Sequence, residues 1–419
     1  MAEMKDSDIR WIGQIPKNWK VIRVKDAFTR KKAKAKQENP VILSLARSGV
    51  KVRDITNNEG QLAENYSDYN PVMVDDLLLN PMDLISGDNC NISRVEGVIS
   101  PAYVNLRYKN GINPEFYNFY FKYQYWCKAF FAYGKGVSFE NRWTLNYDTL
   151  ERFPLILPPI EEQNRIVKFL KGKCAEIDAL HTDIEKQIET LEEYKKSIIT
   201  EAVTKGLDPD VEMKDSGIEW VGMIPKHWNV TKFKYICSVK TNLVNVKKYQ
   251  EYPQISPDNI EKDSGILLNY STVAEAGVIS DNHLFFKGQI LYSKIRPKLN
   301  KVTIAPFNGL CSADMYPIET NENTMFVMYM ILSQYFLNQV SLVTEDRVKM
   351  PKINQEELGV IKIVLPDNIN EQEKIVLYLH QKCQDISKAI EEKKEQLETL
   401  EQYKKSLIYE YVTGKKEVK

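Results

Sequence analysis

At 419 residues, 43% hydrophobic and 27% charged, the chain can bury two or three domain cores, and its composition argues against wholesale disorder. Lysine plus arginine equals aspartate plus glutamate, 57 each, so the net charge is zero and the strongly basic balance of a free-standing nucleic-acid binder is absent. Six scattered cysteines without a CxxC pair, four dispersed histidines, a charged start (MAEMKDSDIRW) and no apolar run near roughly 18 residues argue against a disulfide framework, a zinc site, a secretory leader or a membrane helix. A cytoplasmic chain with reduced thiols is expected.

In chain order, the first segment is DSDIRWIGQIPKNW, Asp6 to Trp19, whose Trp11 is expected to anchor the start of a domain in its core. A basic run follows at Lys31, Lys32, Lys34 and Lys36, then short strand-like runs such as VILSL near Val41 and DLLLN from Asp76. The aromatic stretch FYNFYFKYQYW, ending at Trp126, has the spacing of a buried helix rather than of a base-stacking surface. A Gly-flanked loop, YGKGVSFENRW, carries Lys135, Ser138, Asn141 and Arg142. The Pro-rich exit LILPPIEEQ stops a strand, and from Glu161 the chain is charged and proline-free, which predicts a long helix.

After the linker GLDPDVEMKDSG the same parts return. DSGIEWVGMIPKHW, Asp215 to Trp228, repeats the opening at an offset of 209 residues, with Trp220 in the place of Trp11. LEEYKKSIITEAVT from Leu191 returns at the same offset as LEQYKKSLIYEYVT from Leu400, so the chain is a tandem duplication. The second copy holds GQILYSKIRPKLNKV from Gly288, with Lys294, Arg296 and Lys298, and the loop TEDRVKMPK with Arg347 and Lys349. Its exit, KIVLPDNINEQ, lacks the second proline but keeps Glu371-Gln372.

Apolar positions alternate in steps of three and four along both helices, as in a coiled coil. The expected seam is Leu170, Cys174, Ile177, Ile184, Ile188, Leu191 and Ile198 against Leu379, Cys383, Ile386, Ile390, Leu397, Leu400 and Leu407, interrupted by Lys195 and Lys404 at matching places. Over 40 residues would overrun a compact domain, so mutual pairing is expected over packing of each helix on its own domain. A two-fold relation between the copies makes the pair antiparallel. The predicted fold class is α+β. Two mixed α/β domains (1–158 and, with the linker, 206–365) stand at opposite ends of a two-helix coiled coil (159–205 and 366–419) with an internal pseudo-two-fold repeat. The frames of the two domains align while exposed positions differ: Asn80, Pro81, Met82 and Asp83 stand against Ser293, Lys294, Ile295 and Arg296.

The Trp-Ile-Gly-x-Ile-Pro opening, the Pro-Pro-x-x-Glu-Gln exit at Pro158 to Gln163, the LExYKKSxIxExVT helix end and GQILYSKIRPKLNKV resemble type I restriction-modification specificity subunits over essentially the whole chain. The resemblance implies two target-recognition domains, each reading one half of a split, asymmetric site in double-stranded DNA. It also implies paired helices that set the gap and dock two modification subunits, which carry the S-adenosylmethionine-dependent methyltransferase. A restriction subunit can join. No cofactor and no catalysis are expected in this chain.

The residues agree on the last point. There is no GxxxxGK(S/T) phosphate loop and no GxGxxG after a strand. Asn80-Pro81-Met82-Asp83 lacks the second proline and the aromatic residue of an adenine-methyltransferase motif. Asp210, Glu212 and Lys214 read as linker, and His380 with Cys383 has no second ligand pair. Candidate DNA contacts are basic or amide residues on loops between strands, since Arg and Asn read base edges bidentately while Lys mostly grips phosphate. They are Lys31, Lys32, Lys34 and Lys36 for phosphate and Lys135, Ser138, Asn141 and Arg142 for bases in the first domain. In the second they are Lys294, Arg296, Lys298, Arg347 and Lys349. The rival reading is a bilobed coiled-coil scaffold that joins proteins and reads no DNA.

Overall fold

Three consecutive leucines, Leu77 to Leu79, leave a strand no polar face to turn to water, so both of its faces need cover. In the computed structural model, which describes residues 3–36, 39–46, 49–54, 66–84, 90–136, 143–344 and 351–418, they lie inside a four-stranded antiparallel sheet. Its strands are β1 (Phe28–Arg30), β2 (Leu77–Leu79), β3 (Cys90–Ile92) and β4 (Val104–Tyr108), in the order β1-β4-β2-β3. The second copy repeats it: β5 (Cys237–Val239), β6 (Ile290–Ser293), β7 (Val302–Ile304) and β8 (Met315–Thr320), in the order β5-β8-β6-β7.

Each central strand is covered as its composition requires. Leu77 and Leu79 face a core with Phe116, Tyr117 and Phe121 of helix α1 (Pro114–Trp126), while Leu78 faces a smaller core with Leu43, Val72 and Ile99. In the second copy Ile290 and Tyr292 share a core with Phe326 and Met330, and Leu291 packs with Ile255, Phe285 and Met315. Helix α2 (Ile160–Lys205) follows the first head; α3 (Thr324–Leu332), α4 (Gln334–Thr344) and α5 (Ile369–Val412) belong to the second round. The aromatic stretch is the buried helix its spacing predicts, started by Pro114 and by the Asn113 side chain, which accepts the Glu115 N–H. Asn323 caps α3 in the same way through the Phe326 N–H. The small second layer also recurs: Ile42 bridges Val98 in parallel, and Gln254 pairs in parallel with Leu310. No single helix among the described residues is long and apolar enough to cross a membrane; the apolar pair α3 and α4 is bent by 61° and most of α3 is buried.

The chain divides into two compact units, Met1–Ile184 with Glu395–Lys419, and Glu185–Lys394. Each contains one head, the opening part of the helix after it and the closing part of the other helix. In the first unit Phe169 stacks on Tyr411 with centroids 4.5 Å apart, and Lys404 Nζ donates to Asp178 at 2.6 Å, so the segments run antiparallel. In the second unit Lys195 Nζ donates to Ser387 Oγ at 3.0 Å. Asp178 and Ser387 are themselves 209 residues apart, as are Lys195 and Lys404, so each stripe lysine reaches a matched polar group on the opposite helix. That is why lysine is tolerated on the stripe.

The helices do not choose between each other and the heads. Leu170, Cys174, Ile177 and Leu407 are buried in the same core as α1, and Ile198, Leu379, Cys383, Ile386 and Ile390 in the same core as α3. Ile184, Ile188, Leu191, Leu397 and Leu400 are half-buried. The tryptophan expectation is corrected. Trp220 is 39% exposed and lines a cleft with Lys196, Thr200 and Gln334, and Trp11 is half-buried, its indole donating to Gln124 at 2.7 Å. The core anchors are Trp19 and Trp228, at 1% and 0% exposure.

Candidate nucleic-acid interface

Strand register places the loops. Arg30 stands opposite Leu106, which stands opposite Leu77, and Val104 stands opposite Leu79. The chain therefore leaves β1 into the lysine run, leaves β2 into Asn80–Leu84 and enters β4, all at one end of the sheet. Lys31 continues the ladder by donating to Asn105 O at 2.9 Å, and Ala35 and Lys36 bond back to Tyr69 and Ser67. Lys32, Lys34 and Lys36 are exposed; Lys34 pairs with Asp68 at 2.9 Å, a surface pair weak enough to yield to a phosphate. Arg30, beside this run and absent from the sequence-based set, lies 4.4 Å over the Tyr147 ring.

The loop before the last strand of the head joins the same end. Leu145 N–H donates to Pro81 O at 2.9 Å, and Lys135 forms a two-way bridge with Thr144. Lys135 is exposed there. Ser138, Asn141 and Arg142 lie outside the described residues. The second head has the counterpart: Ile353 N–H donates to Lys294 O and Arg296 N–H to Pro351 O, at 2.9 and 2.8 Å. The chain leaving residues 345–350 is thus tied to the Lys294–Asn300 loop; Arg347 and Lys349 lie outside the described residues.

In that loop Arg296 and Asn300 adopt left-handed backbone, φ 46° and 43°, which costs a residue with a Cβ about 1–2 kcal/mol. The conformation is held by buried Pro297 and by Asn300, whose Nδ2 donates to Ile331 O at 3.1 Å. Arg296 and Lys298 are exposed, while Lys294 lies 5.3 Å over the Tyr316 ring. A preset loop with exposed cations offers donors without an ordering cost on binding.

The sheets behind these loops are braced differently. Asp76, 1% exposed, accepts a forked pair from Arg107 at 2.7 and 2.8 Å, and further N–H groups from Met73 and Asn105. This partner raises the Arg107 pKa above its ordinary value. At the corresponding places the second copy has Gln289 donating to Glu319 at 2.8 Å, with Lys240 on the same carboxylate. Among the described residues no group of three or more His, Cys, Asp or Glu is placed to hold a metal ion.

Sequence reasoning missed the joints between head and helix. Glu162, in the first turn of α2, accepts the Trp19 indole N–H at 2.9 Å, and Glu371 accepts that of Trp228 at 2.9 Å. Gln163 and Gln372 beside them are fully buried. The signal was present: each tryptophan stands 143 residues before its glutamate in both copies. The changed second exit also has its reason, since Asn368 caps α5 by accepting the Asn370 N–H at 2.9 Å where the first copy has Pro159.

Two heads with one four-stranded sheet order, each gathering its loops at one sheet end but with different side chains on them, make a duplicated scaffold with two unlike loop sets. The family model for the type I restriction modification DNA specificity domain matches residues 16–190 and again 225–399, segments displaced by the 209 residues of the repeat. The chain belongs to this family and carries two DNA specificity domains. It is 31% identical over 240 residues to the EcoDI specificity subunit of Escherichia coli, covering 54% of each chain. It is 26% identical over 436 residues to the MjaVIII specificity subunit of Methanocaldococcus jannaschii, covering 97% of this chain and 95% of that one. Its fold matches a chain solved in work on complex assembly and conformational transition of the type I R-M system, with TM-score 0.71, 14% identity and coverage of 95% and 98%. It also matches the HsdS subunit from Thermoanaerobacter tengcongensis, with TM-score 0.51, 14% identity and coverage of 96% and 98%.

Proposed function

We propose that this chain performs no chemistry itself and directs a type I complex to its DNA sites. Each head reads one half of a bipartite, asymmetric target in double-stranded DNA, and the paired helices set the unread gap. Two modification subunits dock on the helices and bring the S-adenosylmethionine, a restriction subunit joins them, and the complex works in the cytoplasm. Lys31, Lys32, Lys34 and Lys36 grip phosphate; Lys135, Ser138, Asn141 and Arg142 face bases in one half-site. Lys294, Arg296, Lys298, Arg347 and Lys349 serve the other half. The observation that carries this reading is the shared placement of two loops at one sheet end in both heads, Pro81 with Leu145 and Lys294 with Ile353, while their side chains differ. A common frame with unlike contact residues is what reading two different half-sites requires.

The test is single-molecule methylation mapping of a genome expressing the chain with its modification subunits, before and after residues 25–150 are exchanged for those of a relative. One half of the mapped site should change. A change in both halves, or methylation without sequence preference, would refute the independent-reader assignment. Turnover by the purified chain alone with S-adenosylmethionine would refute its non-catalytic role.

A further inference from the structure

A primary amide with no water contact has to find partners for both of its ends inside the protein. Gln163 does so by fastening three pieces of chain. Its Oε1 accepts the Asn113 N–H at 2.8 Å, and its Nε2 donates to Pro158 O at 2.8 Å and to Gly111 O at 3.2 Å. Asn113 is the cap of α1, the helix that backs the sheet bearing the candidate reading loops. The second copy repeats the device. Gln372 Oε1 accepts the Asn323 N–H at 3.0 Å, and its Nε2 donates to Glu322 at 2.7 Å and Pro366 O at 3.1 Å, Asn323 being the cap of α3. The neighbouring glutamate adds a second fixed point through the buried tryptophan, so the first turn of each long helix cannot swivel without breaking several buried bonds.

The lever behind this joint is long. The part of α2 inside the first unit, from Ile160 to Ile184, measures about 37 Å, so a swivel of about 5° at its base moves the end of that part by about 3 Å, close to one base pair of DNA. We infer that Gln163 and Gln372 are positioning residues for DNA recognition: they fix each head's angle to its long helix and so make the complex intolerant of a wrong gap between half-sites. The inference rests on the proposed role of the helices as the gap-setting element.

The experiment uses the full chain with its modification subunits, on duplexes carrying the mapped half-sites at the mapped gap and at gaps one base pair shorter and longer. Gln163→Met keeps the volume and removes the bonds. It should lower the preference for the correct gap by about tenfold, the scale of losing buried hydrogen bonds, while the bases read stay the same. Trp19→Phe, which keeps a ring in the core and loses only the N–H to Glu162, should act in the same direction with smaller effect. It also carries the test alone if the Gln163 variant is insoluble. Undiminished gap preference in a folded variant, or altered half-site bases, overturns the inference. A four-residue duplication within α2 separates the two ideas. If the duplication shifts the gap and Gln163→Met leaves discrimination sharp, only the joint is wrong; if the duplication has no effect, the ruler itself fails and the joint with it.

Discussion

Arg296 combines an exposed guanidinium with a backbone conformation that side chains with a Cβ rarely adopt. Strain of this kind persists where surrounding bonds impose it, and here Pro351, Pro297 and Asn300 do so. Arg296→Gly should therefore leave stability level or raise it by up to about 1 kcal/mol, glycine's unfolded-state entropy offsetting part of the relieved strain. The same change should relax base choice in one half-site by about 1–3 kcal/mol per lost bidentate contact. Thermal unfolding and methylation mapping read the two effects separately, and an unchanged methylation pattern would remove Arg296 from the reading set. At this scale the sequence was a partial guide. The basic loops stood out because turn residues flank them, but the tryptophans were misassigned because duplication marks Trp11 and Trp19 equally. Only the fold shows that Trp19 points to Glu162 while Trp220 reaches the surface.

The helices were legible as elements because a three-four apolar rhythm over more than 40 residues has one structural meaning. The small strands of the second layer, several only two or three residues long, carry too few positions for any period to register. The joints escaped because glutamate and glutamine at a helix start read as ordinary first-turn residues. Duplicating Glu189 to Glu192 in α2 adds about 6 Å of helix and turns the remainder of that helix by about 40°, which a coiled-coil seam absorbs as a stutter. One or two further unread base pairs, at about 3.4 Å each, should then appear in the mapped site. An unchanged gap would leave the helices with partner binding alone.

In the first unit the end of α5 meets the opening of the chain. Lys415 Nζ donates to Ile12 O at 2.8 Å, and Gly414, at φ +71°, sits where a Cβ would collide with Pro16 and reach 3.0 Å from Trp19. Gly414→Ala should lower stability by about 2 kcal/mol or more, since left-handed strain and overpacking add. A permuted chain that links the present ends and opens near Asp208 should fold; Gly414→Ala without loss in thermal unfolding would deny that this closure matters. The duplication announced this arrangement, because a part placed after α2 in sequence needs a neighbour of the same kind in the other copy.

Sharing helix segments between units has a consequence for a chain made only as far as residue 209. Its own Leu170, Cys174 and Ile177 would lack Leu407, Ile408 and Val412, which cover that core in the whole protein. The half-chain nonetheless carries their counterparts, Ile198, Ile199 and Val203, each 209 positions earlier. Two half-chains can therefore complete each other, and sedimentation should find a homodimer at micromolar concentration; a stable monomer would contradict it. With its modification subunits such a homodimer should methylate a palindrome built from the first half-site. On that reading, joining two unlike copies in one chain lets each half of the target change alone, which a homodimer of one copy could not do.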